Sequence, residues 1–82
     1  MDWKLSRHAI ERMLQRGVTL KEVDLAMRSQ IAFEYRHEGV DKVGYYDAGR
    51  RLFVGTIDGL VTAVINGISQ DYVDRLRKKG QA

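Results

Sequence analysis

Three residues near the N-terminus have side chains suited to phosphate chemistry and recur at four-residue spacing. His8, Arg12 and Arg16 lie in the stretch S6-R-H-A-I-E-R-M-L-Q-R16. Histidine, with an unperturbed pKa of about 6.5, can accept or release a proton near neutrality. Arginine donates paired, charge-assisted hydrogen bonds to phosphate oxygens. The pattern is typical of a phosphate site, but a cationic helix edge whose arginines cover apolar surface has the same spacing.

A helix must carry these residues, and the local sequence predicts one. Ser6 can cap a helix that runs to Arg16, and Gly17 supplies the left-handed residue that commonly follows a helix. Because each residue turns a helix by roughly 100°, His8, Arg12 and Arg16 share one stripe, called here the α1 stripe. We expect the adjoining buried face to consist of four apolar residues, Ala9, Ile10, Met13 and Leu14.

The rest of the chain predicts a second helix, a meander and a third helix. The stretch T19-L-K-E22 has the form of a capping box and starts a helix that ends near Ser29. Short β-rich runs then predict strands over 31–35, 43–46, 51–57 and 60–65, followed by a helix over 69–79. The expected fold is a single α+β domain over 1–82, in which two N-terminal helices pack on a four-stranded antiparallel meander.

Composition excludes several classes of protein. The 82-residue chain has no cysteine, which excludes disulfides, thiolate metal sites and a cysteine nucleophile. With two histidines and no cysteine, the sequence does not predict a zinc site. It also has no glycine-rich loop of the kind that binds a phosphate-bearing cofactor. Neither a membrane span nor the apolar core of a secretory signal is found, so we expect a cytoplasmic protein with no membrane partner.

Charge and size suggest what the protein binds. The formal net charge of +3 suits an anionic partner such as RNA, DNA or an acidic protein. A domain of this size has a thin core, which makes a homodimer or a protein partner reasonable.

The stretch S6-R-H-A-I-E-R-M-L-Q-R-G-V-T-L-K-E-V23 resembles the opening of a bacterial family of domains of unknown function. Its members begin T/S-x-H-A-x-x-R-M-x-x-R-G-I/V-T/S-x-x-E/D-V and end a small meander with a V-x-T-V-I-like strand. Here residues 60–65 read L-V-T-A-V-I, with Ala63 where the family more often has an aliphatic residue. The resemblance covers about residues 5 to 66 and leaves out the predicted C-terminal helix.

That family is similar to the RelE-like toxins, within the wider group of barnase-, EndoU- and colicin-like ribonuclease folds. The resemblance implies a small metal-independent endoribonuclease, often a toxin with an antitoxin partner, acting on free or ribosome-bound RNA. Carried over by position, the active-site set would be His8, Arg12, Arg16 and Thr62.

Further contacts with RNA are expected from exposed cations and one aromatic ring. The candidates are Lys4, Arg7, Arg50, Arg51 and Tyr46, with a basic tail R75-L-R-K-K79. Tyr45 and Tyr46 point to opposite faces of a strand, so at most one of them can stack on a base. The second proton carrier that RNA cleavage needs is not evident, and His37, Tyr45 and Tyr46 are the candidates for it.

Three functions remain open from the sequence. The first is an RNA-cleaving enzyme of toxin type that uses the α1 stripe. The second is a catalytically inactive module that binds RNA, DNA or an acidic protein, for example a phage or plasmid regulator or inhibitor. The third is a structural dimer in which the stripe lines an interface. The missing second proton carrier is the main argument for the second.

Overall fold

The helices and strands follow one another in the order that the sequence predicts, with one added strand. The computed structural model describes residues 3–29 and 31–81, and the side chains of residues 79–81 are not described. Its elements are β1 (Lys4–Leu5), α1 (Arg7–Arg16), α2 (Leu20–Met27), β2 (Ile31–His37), β3 (Val40–Asp47), β4 (Leu52–Ile57), β5 (Leu60–Ile65) and α3 (Gln70–Gln81). The α+β class is confirmed. The predicted ends of the domain and the Lys79 side chain lie outside the described residues.

The sheet is mixed rather than purely antiparallel. Among the described residues it has five strands in the order β1-β5-β4-β3-β2, and β2 to β5 form the predicted antiparallel meander. The added strand β1 pairs in parallel with the start of β5, through Lys4 with Leu60 and Leu5 with Val61. The expectation of four strands was therefore wrong by one. A two-residue strand has no periodicity of its own and exists only through pairing with distant residues.

The first hairpin is longer than its sequence indicates. The strands β2 and β3 pair as far as His37 with Val40, although residues 36–41 were expected to form a turn. The turn itself is Glu38–Gly39, with φ of 52° and 78°. Two consecutive positive φ values define the tight turn that matches the twist of antiparallel strands. A glutamate in its first position is an uncommon choice, so the sequence does not predict the turn.

The helices cover opposite faces of the sheet. Helix α1 packs along β5, and α2 packs over β3 and β4 on the same face. Their core contains Ala9, Met13, Val18, Val23, Ala26, Leu52, Val54, Val61 and Val64. Helix α3 packs against β2 on the other face, in a core of Phe33, Tyr35, Tyr46, Phe53 and Val73.

Helix α1 buries a narrower face than expected. Ala9 and Met13 are buried, but Ile10 is 45% exposed and Leu14 is 80% exposed. The expectation that all four form the buried face was therefore wrong for two of them. A helix that lies along a strand near the sheet edge meets a narrow surface, so only its central apolar residues are covered. No helix within the described residues is long and apolar enough to cross a membrane.

Candidate functional site

The N-terminal end of helix α1 is hydrogen-bonded to β5. The Ser6 side chain accepts a hydrogen bond from the Ala9 amide at 3.0 Å, and the Ser6 amide donates to the Val61 carbonyl on β5 at 3.0 Å. The helix ends at Gly17, whose φ of 66° is the left-handed conformation that stops a helix. The α1 stripe therefore lies on a short helix with a fixed position along β5.

His8 and Arg12 form a pair on the exposed surface of α1. Arg12 Nε donates a long hydrogen bond of 3.4 Å to His8 Nε2, and Arg12 Nη1 donates to Gln15 Oε1 at 3.2 Å. Because Nε2 is the acceptor, the ring is neutral in this arrangement and carries its proton on Nδ1. The pair therefore presents a guanidinium beside an imidazole whose one acceptor nitrogen, Nε2, is hydrogen-bonded to that guanidinium. Gln15 helps to hold Arg12 in this position.

Arg16 reaches past α1 to the rim of the sheet. Its Nη1 donates to the Val64 carbonyl of β5 at 2.8 Å. In the described part of the chain β1 pairs only with Leu60 and Val61 of β5. The Val64 carbonyl lies farther along β5, beyond this pairing, and Arg16 is its hydrogen-bond donor there. Arg16 thus has a structural task. A guanidinium has five N–H donors, so the remaining ones can still bind a phosphate.

Among the described residues, the two arginines of the α1 stripe form no ion pair with a carboxylate, whereas Arg7 and Arg50 do. Arg7 pairs with Glu11 at 3.6 Å, and Arg50 pairs with Asp47 at 3.2 Å. Across the described residues no carboxylate lies within 4.0 Å of Arg12 or Arg16. The positive charge of these two arginines is therefore not neutralised by a close ion pair, which favours an anionic ligand.

Thr62 belongs to β5 and is separate from the α1 stripe in its contacts. It lies where the β4–β5 pairing shifts by one residue, and its Oγ1 donates weakly to the Gly55 carbonyl at 3.4 Å. Among the described residues no hydrogen bond joins Thr62 to His8 or to either arginine. His8, Arg12 and Arg16 thus lie along one helix, and of these three described residues only His8 and Arg12 are hydrogen-bonded to each other. Thr62 lies on the neighbouring strand.

The other expected RNA contacts are scattered. Lys4 on β1 and Arg7 in the first turn of α1 are exposed near the start of the stripe. Arg50 lies in the β3–β4 turn, where it pairs with Asp47. The hydrogen bonds from Thr19 lower the pKa of Glu22, and the charge of Arg50 makes a smaller contribution in the same direction. Arg51 is exposed, with a φ of 54°, in the same turn. Lys4 and Arg7 therefore lie near the α1 stripe, whereas Arg50 and Arg51 lie in the turn between β3 and β4.

Tyr46 is part of the core, so the expectation that it stacks on a base was wrong. It is 2% exposed, and its hydroxyl donates to the Ile68 carbonyl at 2.6 Å beneath α3. Tyr45 points to the opposite face and packs against the core under α1 and α2. The sheet alternation was read correctly, but the sequence could not show that α3 covers the Tyr46 face.

Neither His37 nor Tyr46 is positioned as a second proton carrier beside His8. His37 ends β2, at the other edge of the sheet from β5, and lies 3.8 Å from Glu38. Three strand spacings separate β5 from β2, which is roughly 14 Å. The Tyr46 hydroxyl is already bonded within the core. In the described residues there is also no cluster of three or more side chains that could hold a metal ion.

Comparisons with protein-family models, with curated proteins and with solved structures found no match to this chain.

Proposed function

We propose that the protein is a metal-independent endoribonuclease in which His8 is the proton acceptor and Arg12 and Arg16 bind the phosphate. The observation that supports this most directly is the hydrogen bond from Arg12 Nε to His8 Nε2 on the exposed side of α1. An imidazole nitrogen that can accept a proton thus lies beside a guanidinium that can bind a phosphate. A phosphate that draws the guanidinium toward itself frees the lone pair of Nε2.

The proposed reaction is internal transesterification of RNA. His8 Nε2 takes the proton from a 2′-hydroxyl, the 2′-oxygen bonds to the adjacent phosphorus, and the bond from phosphorus to the 5′-oxygen breaks. Water protonates the leaving 5′-oxygen, and the products carry a 2′,3′-cyclic phosphate and a 5′-hydroxyl. The guanidiniums of Arg12 and Arg16 stabilise the charge that develops on the phosphate oxygens.

A second candidate function is RNA binding without cleavage. It is favoured by a specific observation: within the described residues, the one hydrogen bond made by the His8 side chain is that from Arg12. Among the described residues, no acid for the leaving group is therefore hydrogen-bonded to His8. In this case the α1 stripe binds phosphates as the cationic face of a binding module.

The test is incubation of a labelled single-stranded RNA with the protein in EDTA, followed by identification of the new ends by mass spectrometry. Cleavage that leaves cyclic phosphates, is lost in His8→Ala and is retained in His37→Ala supports the ribonuclease. The His37 variant is the matched control, because that histidine is also exposed but ends β2. Cleavage that survives His8→Ala contradicts the assignment. RNA binding without cleavage, weakened by Arg12→Ala, supports the second candidate.

A further inference from the structure

Helix α3 leaves part of its own face of the sheet uncovered. It packs against β2, whereas β5 lies at the other side of the sheet. The residues of β5 that share this face are Ala63, opposite Gly55, and Ile65, opposite Phe53. Both are half-buried, and neither packs in the cores described above. We call the surface of Ala63 and Ile65 the β5 platform.

A tyrosine from β2 extends across the sheet toward this platform. The Tyr35 side chain passes over the paired glycines Gly44 and Gly55 of β3 and β4. A Cβ at Gly44 would lie 3.2 Å from Tyr35 Cε1, and a Cβ at Gly55 would overlap the Tyr35 hydroxyl oxygen. The two glycines thus make the space through which the ring reaches β4, and its hydroxyl ends beside Ala63.

The Tyr35 side chain is mostly buried, but its hydroxyl reaches the surface. The residue is 7% exposed, and no hydrogen bond to its hydroxyl is found among the described residues. Buried hydroxyls usually have a partner, because burial without one costs free energy. No fully buried side-chain polar atom in the described part of the chain is unsatisfied, so this hydroxyl reaches the surface. It is a donor aimed at whatever occupies the platform.

An exposed ring lies on the helix that covers Tyr35. Tyr72 in the first turn of α3 is 40% exposed, and its neighbour Val73 packs in the same core as Tyr35. The next residue, Val73, is fully buried and fixes this turn of α3 against the sheet. Tyr72 is therefore an aromatic surface on a rigid element, which is what stacking on a base requires.

The platform and the α1 stripe meet at β5. Arg16 donates to the carbonyl of Val64, the residue between Ala63 and Ile65. The guanidinium therefore lies at the edge of the strand whose open face is the platform. An apolar surface with one phenol donor, one exposed ring and a cation at its edge suits a planar, hydrogen-bonding ligand attached to a phosphate.

We propose that the β5 platform holds one unstacked base of a single-stranded RNA, with the Tyr72 ring stacked on the base and the Tyr35 hydroxyl donating to one of its acceptor atoms. The neighbouring phosphate then lies toward Arg16 and the α1 stripe. The proposal rests on the proposed function insofar as it takes RNA to be the ligand, and it applies whether the RNA is cleaved or only bound.

The test is fluorescence anisotropy with a labelled 2′-O-methyl oligouridine of about ten nucleotides, a length within the usual site size. The methyl groups prevent attack by the 2′-oxygen, so binding is measured without cleavage. A second oligomer has the same backbone with abasic sites in its central half. We expect Tyr72→Ala to weaken binding of the base-bearing oligomer roughly 5- to 30-fold, and Tyr72→Phe to retain it.

The abasic oligomer separates this proposal from the proposed function. Tyr72→Ala should leave its binding unchanged, whereas Arg12→Ala should weaken binding of both oligomers. Tyr35→Phe should weaken binding of the base-bearing oligomer about two- to tenfold, through loss of one hydrogen bond. Ile10→Ala is the matched control, because Ile10 is exposed to a similar degree on the helix that covers the other face.

Three results would overturn the base site. Equal binding of the base-bearing oligomer by wild type and Tyr72→Ala, with Arg12→Ala still weaker, removes the platform and leaves the RNA function standing. An equal loss on both oligomers in Tyr72→Ala does the same, since a base is then not what Tyr72 contacts. If wild type binds neither oligomer, the RNA function itself is refuted and the base site with it. Urea unfolding of each variant shows that it is folded.

Discussion

Replacing Gly55 with alanine tests the position of the Tyr35 hydroxyl. The new Cβ would overlap that oxygen, would lie 3.3 Å from the Ala63 Cβ, and would be a comfortable 3.6 Å from Tyr35 Cζ. Most of the strain in Gly55→Ala thus comes from one atom, the Tyr35 hydroxyl oxygen. Overpacking a core typically costs about 1–3 kcal/mol. The lower backbone entropy of alanine in the unfolded chain offsets about 0.5–1 kcal/mol of this. We expect Gly55→Ala to lower the free energy of unfolding by about 1–2 kcal/mol.

The decisive variant removes the oxygen from the other side of the contact. Tyr35→Phe breaks no hydrogen bond within the described residues, so by itself it should change the free energy of unfolding by less than about 0.5 kcal/mol. In the Tyr35→Phe background Gly55→Ala should lose most of its cost, a coupling of about 1–2 kcal/mol. Gly44→Ala is the matched control, because its Cβ would lie 3.1 Å from the rings of both Phe33 and Phe53. Tyr35→Phe cannot relieve those contacts.

The assay is urea unfolding followed by far-UV circular dichroism. Wild type, Gly55→Ala, Tyr35→Phe and the double variant form one cycle, and the same cycle with Gly44→Ala forms the control. If Gly55→Ala costs the same in both backgrounds, the hydroxyl does not lie against β4. The geometry of the base site would then be refuted together with this prediction. If both glycines couple equally to Tyr35→Phe, the effect belongs to the whole ring.

Three further predictions concern single side chains. Burial, with a smaller contribution from Tyr72, raises the pKa of Tyr35 from 10.0 to about 12, so its contribution to stability is complete below pH 10 and lost as the pH rises toward 12. Because solvent reaches the hydroxyl, that loss of stability should be no more than about 2 kcal/mol. It is measured by urea unfolding at rising pH, as the free energy of unfolding of wild type minus that of Tyr35→Phe. A difference that does not change with pH would contradict this prediction. Tyr46→Phe should lower the free energy of unfolding by about 1–2 kcal/mol, because the Ile68 carbonyl loses its buried donor, and an unchanged urea midpoint would refute this. Arg16→Ala should cost about 1 kcal/mol, because the Val64 carbonyl loses a charged donor; a thermal midpoint equal to wild type would show that this bond adds nothing.

Much of the fold could be predicted because its signals are local. The cap at Ser6, the stop at Gly17 and the capping box at Thr19 and Glu22 all lie where the sequence predicts them. The last strand, 60–65, also has its predicted bounds. These signals depend on hydrogen bonds within a few residues, which the order of residue types is enough to specify.

Features that depend on distant partners could not be predicted. Lys4 and Leu5 form a strand only because they pair with Leu60 and Val61 at the start of β5. Ile10 and Leu14 are apolar at helical spacing, yet they stay exposed because β5 covers only part of α1. In each case the deciding interaction joins segments that are far apart in the chain, and the periodicity of residues within one segment cannot predict such an interaction.

The candidate site divides in the same way. The sequence by itself determined that His8, Arg12 and Arg16 share one stripe of a helix, because a regular helix sets their relative angles. It also determined that Tyr45 and Tyr46 point to opposite faces of the sheet. Only the tertiary structure decided that Arg16 binds a carbonyl of β5, that Tyr46 is buried, and that the Tyr35 hydroxyl reaches β4 without a partner. The physical reason is that burial and pairing depend on which element packs on which face, and that is settled only when the whole chain is folded.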